Sequence, residues 1–204
     1  MAALGGGIYI VHPSELVGPE NPAKNEQGDP SFNLSFVRDI KTKGKAFQAI
    51  MERLRMLAIY AKEKRLKVAL ENMGWWSEEV VAKTVDLLNE VRSDNIGLCL
   101  DVGHANRSHN AKRMIRSFEK KIITTHLHDN HGEETDEHLL PFLGSVNWRK
   151  MLETLKENEY SGVLLYEPLT RGTPISVEQT KHSLHRIRLL WEEVQKNPKE
   201  KPRP

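Results

Sequence analysis

The stretch "IITTHLHDNHGEETDEH", Ile122 to His138, opens as an apolar run and turns abruptly polar. Its last fourteen residues, Thr125 to His138, hold four of the chain's nine histidines and five carboxylates. Such a segment is either a solvated loop or the rim of a metal site. The rest of the chain decides, by supplying partners for a metal or failing to. "IITTHLH" reads as a strand, short and rich in β-branched residues. Successive strand side chains point to opposite faces, so His126 and His128 share one face and Leu127 takes the other.

Working outward, the same alternation of short apolar runs and amphipathic stretches recurs. "IYIVH" (Ile8 to His12), "KVALE" (Lys67 to Glu71), "IGLCLD" (Ile96 to Asp101) and "VLLYE" (Val163 to Glu167) read as further strands. Helical spacing runs from Ser35 to Lys64, including Phe36, Ile40, Phe47, Ile50 and Leu54. Ser77 is placed to cap the next helix, with Glu78 and Glu79 in its first turn. A short helix is expected over Ala111 to Lys121, another around Trp148 to Leu155, and a closing one from Val177 to Gln195. The segment "VGPENPAKNEQGDP" after the first strand is turn-rich. Five strands separated by helices predict a parallel α/β sheet with right-handed crossovers.

Every predicted strand ends in a residue able to bind a metal: His12, Glu71, Asp101, His126 and Glu167. In parallel α/β folds the carboxyl ends of the strands carry the site. Ala69, Cys99, Gly97 and Thr124 fall on the same face as these ligands, and Leu70, Leu100 and Tyr166 on the other. That pattern suits a barrel with small residues inside and helices packed outside. Each ligand taken alone has an ordinary explanation, since strand-terminal acids often cap helices, and "GHANRSH" could be a helix entry capped by Asn110. The coincidence at all five strand ends points to a site. Two Glu, one Asp and one or more His form a mixed oxygen and nitrogen set, suited to Mn²⁺, Mg²⁺, Co²⁺ or Zn²⁺.

Composition narrows the classes. At 204 residues and 38% hydrophobic the chain is expected to form one domain. Thirty basic against 28 acidic residues leave a net charge of +2, which argues against a dedicated nucleic-acid binder. The single cysteine, Cys99, excludes an intrachain disulfide and a zinc site built on cysteines. No run approaches the ~18 apolar residues of a membrane span. The N-terminus lacks a secretory signal, and a cytoplasmic protein is expected.

At these residues the chain resembles the xylose-isomerase-like TIM-barrel superfamily. That group holds sugar and sugar phosphate isomerases and epimerases and, in another branch, the endonuclease IV-type (AP endonuclease 2) enzymes of abasic-site repair. The matching stretches are "IVHP", "VALEN", "GLCLDVGHA", "THLHDNHGEETDEH" and "VLLYEP", in the family's order over nearly the whole chain. The resemblance implies a shared metal site at Glu71, Asp101, His126 and Glu167. It implies a second metal or substrate contact at His12, His104, Asp136 and His138. His131, mid-loop, is expected to be solvent-exposed and dispensable.

The implied fold is a partial (β/α)8 barrel over residues 1–196, with residues 197–204 a disordered polar tail. The resemblance implies that its five parallel strands correspond to the family's strands four to eight, and the first three are expected to be lacking. Two sheet edges would then be open, and a second copy or another chain is expected to cover them. Where the family usually reads Pro-Gly-Glu-Gly after the loop, this chain has "PFLGSVNW" (Pro141 to Trp148).

Three functions follow. The preferred one is a metal-dependent isomerase or epimerase acting on a sugar or sugar phosphate. Glu71 and Glu167 would there be the acid/base pair for proton transfer beside a metal-bound carbonyl, through an enediolate. The alternative is an endonuclease IV-like zinc hydrolase of abasic DNA, against which stand the near-zero charge and the bulky "NMGWW" after Glu71. Trp75 and Trp76 suit stacking on a sugar ring as well as a structural role. The third is a non-catalytic metal-binding remnant, in which metal binds but sugars turn over poorly or not at all.

Overall fold

Each of the five apolar runs forms a strand, and the strands lie in chain order in one parallel sheet. The computed structural model describes residues 7–16, 44–133, 135–169 and 174–196. The turn-rich segment, the expected helical positions Phe36 and Ile40, and the polar tail lie outside the described residues. The strands are β1 (Ile8–Val11), β2 (Lys67–Glu71), β3 (Ile96–Asp101), β4 (Ile122–Leu127) and β5 (Val163–Tyr166). Among the described residues six α-helices accompany them: α1 (Lys45–Glu63), α2 (Glu78–Val91), α3 (Val102–Arg107), α4 (Ala111–Phe118), α5 (Trp148–Glu157) and α6 (Val177–Lys196). The result is a curled half-barrel, the partial barrel expected from the strand count.

The two sheet faces divide by residue size, which explains the layering. Leu70, Leu98, Leu100 and Leu127 are fully buried and belong to the main hydrophobic cluster, together with residues of the flanking helices. The concave face carries Ala69, Cys99 and Thr124, small enough to leave room at the strand ends. Helix entry is local chemistry: the Ser77 hydroxyl accepts from Val80 N, and the Asn147 amide oxygen accepts from Lys150 N. β1 and β5 are the sheet edges, and Val163 and Leu165 of β5 are exposed.

Two expectations change. Asn110 precedes α4 but makes no capping bond; its amide donates to Trp76 O and its oxygen accepts from Ser108 Oγ. The capping acid is Asp101, whose Oδ1 accepts from His104 N at the start of α3. Trp76 is fully buried and packs on Phe118, with ring centroids 6.4 Å apart, so it stacks on the core and not on a ligand.

The register holds one irregularity that aims the site. Leu98 pairs with Ile122 but Cys99 pairs with Thr124, so β4 carries an extra residue at Ile123. Beyond it, Thr124 and His126 fall in step with Cys99 and Asp101. Gly97 makes this possible, because a Cβ there would overlap the Lys121 carbonyl oxygen and the Ile123 side chain. Gly97→Ala should therefore destabilise the fold by about 1–3 kcal/mol, the usual range for an overpacked core. Urea unfolding measures it, and an unchanged midpoint would show the bulge to be soft.

Candidate metal centre

Parallel register brings the strand ends together. Glu71 closes β2, Asp101 closes β3 beside His126, and Glu167 follows β5. One side-chain atom from each of Glu71, Asp101, His126 and Glu167 lies within 4.8 Å of the others. His126 Nδ1 is 2.9 Å from Glu167 Oε2, 3.4 Å from Glu71 Oε1 and 3.8 Å from Asp101 Oδ2. Glu71, Asp101 and His126 are buried, and Glu167 is one-third exposed, so the cluster opens on that side.

Three carboxylates around one imidazole make a strongly cation-seeking pocket. Burial opposes charge on His126, yet the Cys99 thiol and the Glu167 and Glu71 carboxylates raise its pKa far above the ordinary value. Burial likewise works to raise the Glu71 pKa, but His12 and His126 beside it hold the carboxyl well below its usual range. Despite their 2.9 Å separation, His126 Nδ1 and Glu167 Oε2 form no hydrogen bond, and both atoms are buried. Close but misaligned polar atoms of this kind want a common partner, and an ion between them would satisfy both. The set of three carboxylates and one imidazole fits a divalent cation of the Mn²⁺, Co²⁺ or Zn²⁺ type.

Neighbouring side chains hold these groups in place. Asn72 bridges the ends of β2 and β3: its Oδ1 accepts from Asp101 N at 2.8 Å and its amide donates to Asp101 O at 3.0 Å. Cys99 lies on the concave face below, its thiol pushed up to about 12 by burial and close to Glu71 and His126. Sequence reasoning set aside cysteine as a main zinc ligand, yet this thiol sits against the cluster. Asp129, fully buried, accepts from Asn130 N, Phe142 N, Val146 N and Trp148 Nε1. It thereby ties the "PFLGSVNW" loop to the end of β4.

A second set forms beside the first. His104, His128, Asp136 and His138 also place one ligand atom each within 4.8 Å of one another. His104 Nδ1 donates to Asn72 O at 2.8 Å and His138 Nδ1 to Glu167 O at 3.2 Å. Both rings therefore turn Nε2 inward, each 2.9 Å from Asp136 Oδ2. Burial opposes charge on His104, but the Asp101 and Asp136 carboxylates lift its pKa to about 9. Asp136 is held well below its usual range by His104 and His138 despite its own burial.

Of the residues singled out in the sequence, Glu71, Asp101, His126 and Glu167 converge, and His104, Asp136 and His138 converge separately. His12 joins neither set among the described residues as a second-site ligand. Its Nε2 lies 3.1 Å from Glu71 Oε2 at the exposed rim. His131 points outward, 57% exposed, and pairs with Glu137 at 2.8 Å. Sequence reasoning missed His128 as a member of the second set, as well as the bridging role of Asn72 and the hub at Asp129. For His128 the signal was present, since period-2 alternation put it on the His126 face.

The fold has known counterparts. The family model described as a xylose isomerase-like TIM barrel matches residues 1–190. The chain belongs to the xylose isomerase-like TIM-barrel family. A solved D-tagatose 3-epimerase-like protein is 25% identical, with a TM-score of 0.64 over 95% of this chain and 65% of its own. A zinc-bound structure of the IOLI protein superposes with a TM-score of 0.60 at 23% identity, covering 95% of this chain and 63% of that one. An uncharacterized protein of Methanocaldococcus jannaschii is 33% identical over 117 residues, which is 52% of this chain and 38% of the relative. The chain thus spans well under half the length of that relative. No helix among the described residues is long and apolar enough to cross a membrane.

His104 makes the electrostatics testable in chelator-treated protein. Its folded pKa lies above the ordinary 6.5, so its charged form stabilises the fold fully below pH 6.5. That contribution is lost as pH rises through about 9. The thermal midpoint of the wild type should therefore fall more steeply between pH 6.5 and 9.5 than that of His104→Gln. Parallel profiles would show that His104 gains nothing from Asp101 and Asp136.

Proposed function

We propose that the chain is a divalent-metal-dependent sugar isomerase or epimerase, with Glu71, Asp101, His126 and Glu167 as metal ligands. The observation that carries this reading is the convergence of those four side chains at the open end of a half-barrel of this family. A metal held there would polarise a substrate carbonyl and stabilise the negative charge that develops on its oxygen. Glu71 ends β2 and Glu167 follows β5, two strands that are not adjacent in the sheet. One residue of the pair, ionised, would take the proton from the carbon beside the carbonyl, and the other, entering as the carboxylic acid, would give its proton to the opposite face, inverting that carbon and leaving the two protonation states exchanged. The low pKa of Glu71 keeps it ionised, as a metal ligand must be. Partial exposure of Glu167 supports substrate entry from its side. The likeness to a D-tagatose 3-epimerase-like protein supports a ketose as substrate.

The second set favours one other reading. A nitrogen-rich cluster of three histidines and one aspartate suits zinc. With the first set, it would suit activation of water for phosphodiester cleavage, as in the abasic-site repair branch. The net charge of +2 weighs against it, because phosphate neutralisation supplies most nonspecific DNA affinity.

Two measurements test these assignments. His126→Ala and Glu167→Gln should each weaken Mn²⁺ binding by at least about tenfold, whereas His131→Ala should leave it unchanged. Equal losses in all three would show that the ligands are misassigned. Metal-dependent interconversion of a panel of ketoses and their phosphates, run beside cleavage of an abasic-site duplex, separates the two chemistries. Sugar turnover that drops about 10²–10⁴-fold in Glu71→Gln is expected, and duplex cleavage without sugar turnover would reverse the assignment.

A further inference from the structure

We propose that His128 is a positioning residue that fixes the Asp101 carboxylate for the first ligand set and ties the two sets together. The inference rests on the metal reading above. His128 lies just past β4 and is fully buried. Its Nε2 is 2.9 Å from Asp101 Oδ1 and donates a hydrogen bond to Oδ2 at 3.1 Å. Asp101 Oδ1 also accepts from His104 N at 2.7 Å. Two donors therefore orient the carboxylate, leaving its remaining lone pairs for the ligand cluster.

The ring has little freedom to move. It stacks on His138 with centroids 3.8 Å apart and planes 7° from parallel, and meets His104 edge-on at 5.7 Å. On another side it rests against the bare Cα of Gly103, where any Cβ would overlap three ring atoms. A glycine at the first turn of α3 is thus a spatial requirement of this histidine. With Nε2–H committed to Asp101, Nδ1 carries the ring's lone pair. That atom is buried without a hydrogen bond, and so is Asp136 Oδ1, 3.9 Å away. One ring thus donates to a ligand of the first set and turns a bare acceptor toward the second. Outer partners that hold metal ligands in this way typically change metal affinity 10–100-fold when removed.

The test is Mn²⁺ titration of the full chain, following the free-ion signal by electron paramagnetic resonance. His128→Leu should weaken binding about 10–100-fold. His128→Gln, whose amide nitrogen can reach the Nε2 position, should recover most of that loss. Gly103→Ala keeps the histidine but displaces its ring and should also weaken binding. In an Asp101→Asn background, His128→Leu should add no further loss. Thermal unfolding checks that each variant is folded, and if His128→Leu is not, His128→Gln against Gly103→Ala decides. Equal affinity in those two, or His128→Gln as weak as His128→Leu, would overturn the proposal. Wild-type binding undiminished in His128→Leu would overturn it alone. Absence of Mn²⁺ binding by the wild type would overturn the metal reading and this inference together.

Discussion

Negative charge gathered at adjacent strand ends is the constraint on which the rest of this structure depends. Parallel pairing in chain order places Glu71 and Asp101, the last residues of β2 and β3, His126 near the end of β4 and Glu167 just after β5 on one rim. Three of those positions are carboxylates drawn close together, two of them buried, so their like charges repel. The surrounding design compensates for that repulsion. Imidazoles at positions 12, 104, 126 and 138 take on raised pKa values, and Asn72 and backbone N–H groups orient the acids. A divalent cation would do the same work with a more concentrated charge.

Much of this was legible in the sequence, for a physical reason. Strands buried on one face by helices must be short apolar runs, and all five stand out between polar helical stretches. Because the runs end at the rim, Glu71, Asp101, His126 and Glu167 stood out with His12 as strand-end residues, and the family resemblance singled out the four. What stayed hidden depends on three-dimensional register. The extra residue at Ile123 leaves no mark in the alternation of "IITTHLH", and only the pairing of Gly97 beside it reveals the bulge. Asn110 has the residue type of a helix cap, but the backbone of Trp76 and the Ser108 hydroxyl compete for its side chain. Trp76 has the look of a sugar-stacking residue until its burial under α2 and α4 is seen.

The two ligand sets share more than proximity. Asp101 belongs to the first and is held by His104 and His128 of the second. Glu167 belongs to the first, and its carbonyl accepts from His138. Asn72 serves both, bonding the Asp101 backbone and receiving His104 Nδ1. A change at either set is therefore transmitted through one or two hydrogen bonds to the other.

The most direct test of this account is the anomalous difference map of crystals grown with Mn²⁺. The account predicts a peak at about 2.0–2.3 Å from side-chain atoms of Glu71, Asp101, His126 and Glu167 together. A map with no peak there, or with ordered manganese only at other surface carboxylates, would contradict it.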